Sequence, residues 1–168
     1  MANNEVVVFV DFDGVLTTER AKNRMGSQTY LHPAQVDLLN DIVERSGGVV
    51  VVSSTWRFDT NAPYVLRSAG FRGKFHESHW RTGPALDSRG LELVAAVRAF
   101  KPRRFVCLDD DPSVSAHLKM HHVQPDPDKG LGPLHVDEAL DALSIDVDVD
   151  RLTAGVKMQD LDHSPLEM

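Results

Sequence analysis

At 168 residues the chain is long enough for one domain with a substantial core and too short for two full ones. A lone cysteine, Cys107, excludes a disulfide framework, and no run approaches the ~18 apolar residues of a membrane-spanning helix. The formal charge of −7 is uneven: residues 1–136 carry 16 acidic and 16 basic side chains and residues 137–168 carry 9 and 2, so the body is neutral and the imbalance belongs to the end of the chain.

The opening "MANNEVVVFV" has neither the basic start nor the cleavage site of a signal peptide, so a cytoplasmic location without membrane contact is expected. Val6 to Val10 is apolar without alternation, as in a strand covered on both faces, and it delivers Asp11 and Asp13 into a glycine turn. A loop from Thr17 to Leu31 follows, carrying Arg20, Lys22 and Arg24. "HPAQVDLLNDIVERSGG" has Val36, Leu39, Ile42 and Val43 at helical spacing and a glycine pair as its stop. "VVVVSST" repeats the buried-strand pattern; "APYVLRSAGF" reads as a short helix, "GKFHES" as a brief strand and "SRGLELVAAVRAFKP" as a helix. Then come a strand at "RFVCL", a short helix near "SVSAHLKM", a strand at "HHVQ" and an amphipathic helix at "HVDEALDAL". Cys107, inside an apolar run, reads as a buried, inert thiol.

This alternation predicts an α/β domain over residues 1–143, a doubly wound, Rossmann-like, five-stranded parallel sheet with helices on both faces, followed by an acidic tail over 144–168. The strand at Val6 to Val10 is expected at the centre, between those ending at Ser53 and Leu108. Ligands in such sheets bind beyond the carboxyl ends of the strands. Those ends hold Asp11 and Asp13, then Ser53, Ser54 and Thr55, then Asp109, Asp110 and Asp111. Five acidic groups gathered at one edge repel, and hard oxygen donors favour Mg2+ as the compensating ion. The competing reading of the third group, a helix cap before "SVSAHL", accounts for one strand end and not for three. The histidines do not suggest zinc: His121 and His122 are adjacent on a strand and face opposite ways, His32 begins a helix, and His76 and His79 are candidates for the border of the pocket.

In this order, "VVVFVDFDGVLTT", "VVVVSSTWR" and "FVCLDDD" resemble the motifs of the haloacid dehalogenase (HAD) superfamily of phosphohydrolases, over roughly residues 5 to 143. The resemblance implies a phosphomonoester hydrolase working through an aspartyl phosphate, with Asp11 as nucleophile and Asp13 as the acid and base that serves the leaving group and then water. It implies Mg2+ held by the Asp11 side chain, the Asp13 backbone carbonyl and a carboxylate of the last motif, assigned to Asp110 with Asp109 beside it. Ser54 is the expected hydroxyl partner of the phosphoryl group, with Ser53 as the alternative, and Ser53, Thr55 and Arg57 are expected to bind substrate. Trp56 and Arg57 follow, where a brace behind the turn and ordinary packing at a helix start also remain open beside substrate contact. Superfamily members usually place a lysine before the last motif; here Arg89 occupies that place, and Lys101, at the far end of its helix, is expected in solvent.

Neither gap between motifs has room for a cap domain, so the site is expected to be uncapped (C0-like) and open to a nucleotide, another phosphorylated small molecule or a phosphorylated nucleic-acid end, unless a second copy covers it. Phosphatase modules of this kind occur in nucleic-acid end-repair proteins. Arg20, Lys22 and Arg24, with Arg57 and Arg81, are candidates for a cationic rim. The alternative is a catalytically silent HAD-like binding or regulatory module. A phosphoacceptor signalling domain is disfavoured, because "KFHES" offers no acceptor aspartate at the third strand.

Overall fold

The first strand, β1 (Val6–Val10), is buried along its whole length because two separate apolar layers cover it. Its residues alternate between them: Val6, Val8 and Val10 enter one core and Val7 and Phe9 the other. The computed structural model describes residues 5–18, 31–58 and 61–161. Arg20, Lys22 and Arg24 lie outside the described residues.

Helix α1 (Pro33–Ser46) is capped by His32, whose Nδ1 accepts from the Ala34 N–H, and ends at Gly47 in the left-handed conformation. Strand β2 (Val49–Val52), a 3-10 turn (Thr55–Phe58) and helix α2 (Ala62–Ser68) follow. Helix α3 (Arg89–Phe100) begins at Ser88, whose side chain accepts from the Leu91 N–H. After it come strand β3 (Arg104–Leu108), short helix α4 (Ser115–Leu118), strand β4 (His122–Val123) and helix α5 (Pro133–Ala142). Two short helices, α6 (Val149–Leu152) and α7 (Met158–Leu161), close the described chain.

All pairings are parallel, in the order β2-β1-β3-β4, so the expected central trio is present. Helices α1, α2 and α5 supply the first core and α3, α4 and α6 the second. The described sheet has four strands, where five were expected. The missing one is "GKFHES". Phe75 bridges Val50 and Arg81 bridges Val52, so six residues of this segment span two of β2. The surplus is looped out around His76, whose Nδ1 accepts from the N–H groups of both Ser78 and His79. The outer edge of β2 is thus covered by an irregular ribbon, bonded at two points, instead of an open strand.

From Ser144 to Leu161 the acidic residues face water, as do Ile145 and Met158, while other apolar residues return to the body. Val149 is buried, and Val147, Leu152, Val156 and Leu161 pack on the second core. Arg98 of α3 ties this segment down through Thr153 Oγ1 and the carbonyls of Thr153 and Val156. Among the described residues no helix is long and apolar enough to cross a membrane.

Candidate active site

The strand register brings the site together. Val10 is level with Val52 on one side and with Leu108 on the other, so the next residues, Ser53, Asp11 and Asp109, form a row across the sheet. The ladder continues into that row, with the Ser53 N–H donating to Val10 O and the Asp11 N–H to Leu108 O, both at 2.9 Å. By strand alternation the row shares the face of Val51, Phe9 and Cys107, the face that α3 covers. Arg89, the first residue of α3, therefore reaches the row. Close helix contact makes this approach possible: a Cβ on Gly90 would lie 2.3 Å from Ser113 O in the loop after β3.

Arg89 Nη1 lies 3.0 Å from Asp109 Oδ2 and 3.5 Å from Asp11 Oδ1. Asp11 also accepts from the Phe12 N–H, and Asp109 Oδ1 from the Asp111 N–H, both at 2.9 Å. Asp110 completes the group: Asp11, Asp109 and Asp110 each offer an oxygen, all within 4.8 Å of one another. Gly14 makes room for Asp110. Its φ is +81°, and a Cβ there would lie 2.3 Å from Asp110 Oδ2.

Two of these carboxylates share one guanidinium, and Asp110 stands beside them. At an effective dielectric of ~20, two charges at this spacing repel by about 3 kcal/mol, so one Arg89 does not neutralise the group. Burial, and then the charge of Asp109, push the Asp11 carboxyl well above the usual range, against the pull of Arg89. Burial likewise lifts Asp109 to about 6, despite Arg89 and the Asp111 N–H. A divalent cation fits this donor set, which is all oxygen, crowded and short of positive charge. Asp109 already has Arg89 and the Asp111 N–H on its two oxygens, which makes Asp11 and Asp110 the better-placed ligands.

Asp13 is half-buried on the turn, where the Gly14 N–H donates to Thr17 O, and its carboxylate is not among the gathered oxygens. Asp111 caps the turn after β3, its side chain accepting from the Ser113 N–H, so the capping reading describes this one residue of "DDD".

The serine turn shows a difference between its two hydroxyls. Ser53 and Ser54 are both buried, and Ser53 Oγ, in the row beside Asp11, has no hydrogen-bond partner. Thr55 is exposed at the start of the 3-10 turn. Arg57, a candidate above for substrate contact, for the cationic rim and for a brace behind the turn, is 1% exposed and engaged with its own chain, which leaves it no open face for substrate or rim. Its Nη1 donates to the carbonyls of Ser53 and Ser54, its Nε to Gly83 O and its Nη2 to Glu92 Oε1 at 2.8 Å. It is the brace behind the turn.

Sequence reasoning missed Glu92. In "SRGLE" it resembles an ordinary acidic residue in the first turn of a helix. Yet its Oε1 receives Arg57 and lies 3.4 Å from Arg89 Nε, while its Oε2 accepts from the Leu86 N–H. One buried carboxylate therefore fixes both the arginine behind the serine turn and the arginine over the aspartates. The available signal was Glu92 in line with Ala96, an acid and a small residue one turn apart on the packed face of the helix.

Lys101 is exposed at the far end of α3. Cys107 is fully buried, and burial raises its thiol pKa well above the ordinary value. His121 packs against Phe105, whereas His122 Nε2 meets Asp109 O, an arrangement that places the two rings apart.

A doubly wound parallel sheet with paired aspartates after its first strand, a serine turn after the second and an acidic run after the third defines an aspartate-centred α/β domain. Residues 7–136 match the family of the HAD domain in Swiss Army Knife RNA repair proteins, and the chain belongs to this branch of the haloacid dehalogenase superfamily. No curated protein and no solved structure matches it.

Proposed function

We propose that this protein is a Mg2+-dependent phosphomonoesterase that removes a terminal phosphate from a nucleic-acid end. The observation that carries the chemistry is the cluster of Asp11, Asp109 and Asp110 under a single Arg89. The substrate class rests on the family match. In this reading Asp11 attacks phosphorus in line, the bond to the leaving oxygen breaks, and an aspartyl phosphate forms on Asp11. Asp13 gives its proton to the departing oxygen, which leaves as a hydroxyl, and then takes one from the water that attacks phosphorus, breaks the bond to Asp11 and releases phosphate. Arg89 and Ser53 hold the non-bridging oxygens. Ser53 is preferred here over Ser54 because its unpartnered Oγ stands in the row beside Asp11. When bound by Asp11, Asp110 and the Asp13 backbone carbonyl, Mg2+ supplies positive charge to the oxygens of the transferring phosphoryl group.

Turnover of a chromogenic phosphate ester tests the reaction class. Activity should require Mg2+, disappear in chelator and be absent in Asp11→Asn. Full activity in excess chelator would sink this reading.

A further inference from the structure

Below the site, between the ribbon on the edge of β2 and α3, runs a groove of about 660 Å3, in the size range of small-molecule sites. Its walls include His76, His79, Arg81, Thr82, Ala99 and Phe100. We propose that this groove binds the unpaired nucleotides next to the terminal phosphate, so that the substrate is a single strand. The proposal rests on the function given above and specifies its substrate.

Three observations carry it. First, the groove adjoins the residues that support the site. Gly83, in its wall, accepts from Arg57 Nε, and Arg57 also holds the carbonyls of Ser53 and Ser54. On the opposite wall Ala96 and Ala99 continue the helical stripe of Glu92, which meets Arg89. From Arg89 to Phe100 the helix rises about 16 Å, of which the stretch from Ala95 to Phe100, about 8 Å, lines the groove.

Second, the groove presents rings. His76 stacks on Phe100 with centroids 4.9 Å apart, and His79 does so at 5.6 Å. Burial, followed by the neighbouring His79, lowers the His76 pKa, which keeps that ring neutral and suited to stacking. His79 is exposed, and Ala99 opposite it has no bulk to fill the space. Flat rings beside small side chains suit bases read by stacking without sequence preference. The exposed Arg81 supplies positive charge for the strand's phosphates, its Nη1 anchored on Arg57 O.

Third, Thr82 is 4% exposed and its Oγ1 has no hydrogen-bond partner, although it lines this groove. An orphaned hydroxyl in a binding wall fits a polar ligand edge better than a purely apolar occupant.

The test compares the wild-type protein with His79→Ala and Ala99→Glu, two changes at exposed positions outside the catalytic machinery. Three substrates are used with Mg2+: a chromogenic phosphate ester, a mononucleotide, and single-stranded oligonucleotides bearing a 3′- or 5′-phosphate. A dye-labelled oligonucleotide without terminal phosphate measures binding alone by anisotropy. We expect one of the phosphorylated oligonucleotides to have a KM well below that of the mononucleotide. Both variants should raise that KM by about 5- to 100-fold, the worth of about one stacked base, with kcat and the chromogenic rate unchanged. They should weaken the labelled strand in parallel. Equal KM values for strand and mononucleotide, or unaltered strand binding in both variants, would overturn the groove assignment. Absence of chromogenic turnover would instead remove the phosphatase reading, leaving the anisotropy to judge the groove alone.

Discussion

The two flanks of β1 are built on opposite electrostatic principles. On the β3 side, Asp109 and Asp110 crowd Asp11, Arg89 pairs with Asp11 and Asp109, and the charges of Asp109 and Asp110 raise the proton affinity of Asp11. On the β2 side, Arg57 and Glu92 form a closed pair whose remaining donors and acceptors meet backbone carbonyls and an N–H. The first arrangement is incomplete without an outside charge; the second is complete. In the function proposed above, the open flank carries the attacking carboxylate and the cation, and the closed pair supports the turn that carries Ser53, with Arg89 spanning both through Asp109 and Glu92.

The sharpest way to break this comparison is Asp11→Asn. Turnover should fall by several orders of magnitude, since the attacking oxygen and a metal contact go together. The metal-free fold should become more stable, because one of three repelling carboxylates is lost. Near-normal turnover in this variant would mean that another group attacks.

Next comes Arg89→Ala, expected to lower turnover by about 100- to 1000-fold, the usual effect of removing one preorganised donor to a developing charge. Arg89→Lys should recover part of it, since charge is kept and the fork is lost. Lys101→Ala, at the exposed far end of the same helix, should be nearly silent. The opposite ranking in steady-state kinetics would transfer the role of phosphoryl cation to Lys101.

The closed flank should answer in stability. Glu92→Ala leaves Arg57 buried without its carboxylate, which typically costs about 3–5 kcal/mol. Denaturant unfolding should therefore register a loss for Glu92→Ala and a gain for Asp11→Asn, although both remove one buried acid. Equal signs would show that the flanks do not differ as described.

How much of this was legible in the sequence follows the same division. β1, β2 and β3 and the acids after them were readable, because a fully buried parallel strand has a continuous apolar run and its end is marked by polar residues. The fifth strand was not. "GKFHES" has strand composition, but the loop organised by His76 Nδ1 depends on a ring accepting two backbone N–H groups, which no periodicity reveals. Arg57 and Glu92 were obscured for a related reason. They are 35 positions apart, and each alone looks like a surface charge until the fold buries them together. That Ser53 stands level with Asp11 needed the register, which only the pairing with β1 shows.

The smallest effect expected is a pH-dependent response to Mg2+ at the open flank. Asp109 is lifted by burial from an ordinary 3.8 to about 6, and Asp11 is raised in the same direction. A carboxyl whose pKa is higher in the folded state holds its proton more tightly there. Its contribution to stability is thus fully present below about 3.8 and is lost as pH rises through about 6. In chelator, the open flank should weaken the fold progressively over that window. Mg2+ competes with those protons, so the rise in Tm on adding it should be negligible near pH 4.5 and largest above pH 7, where the carboxylates are ionised and uncompensated. Asp110→Asn should reduce that rise at neutral pH, whereas Asp146→Asn, at an exposed acid paired with Arg103 and Arg104, should leave it unchanged. A Mg2+ increment in Tm that stays constant from pH 4.5 to 8 would show that the cation binds away from this cluster, and the open flank would then lack the outside charge assigned to it.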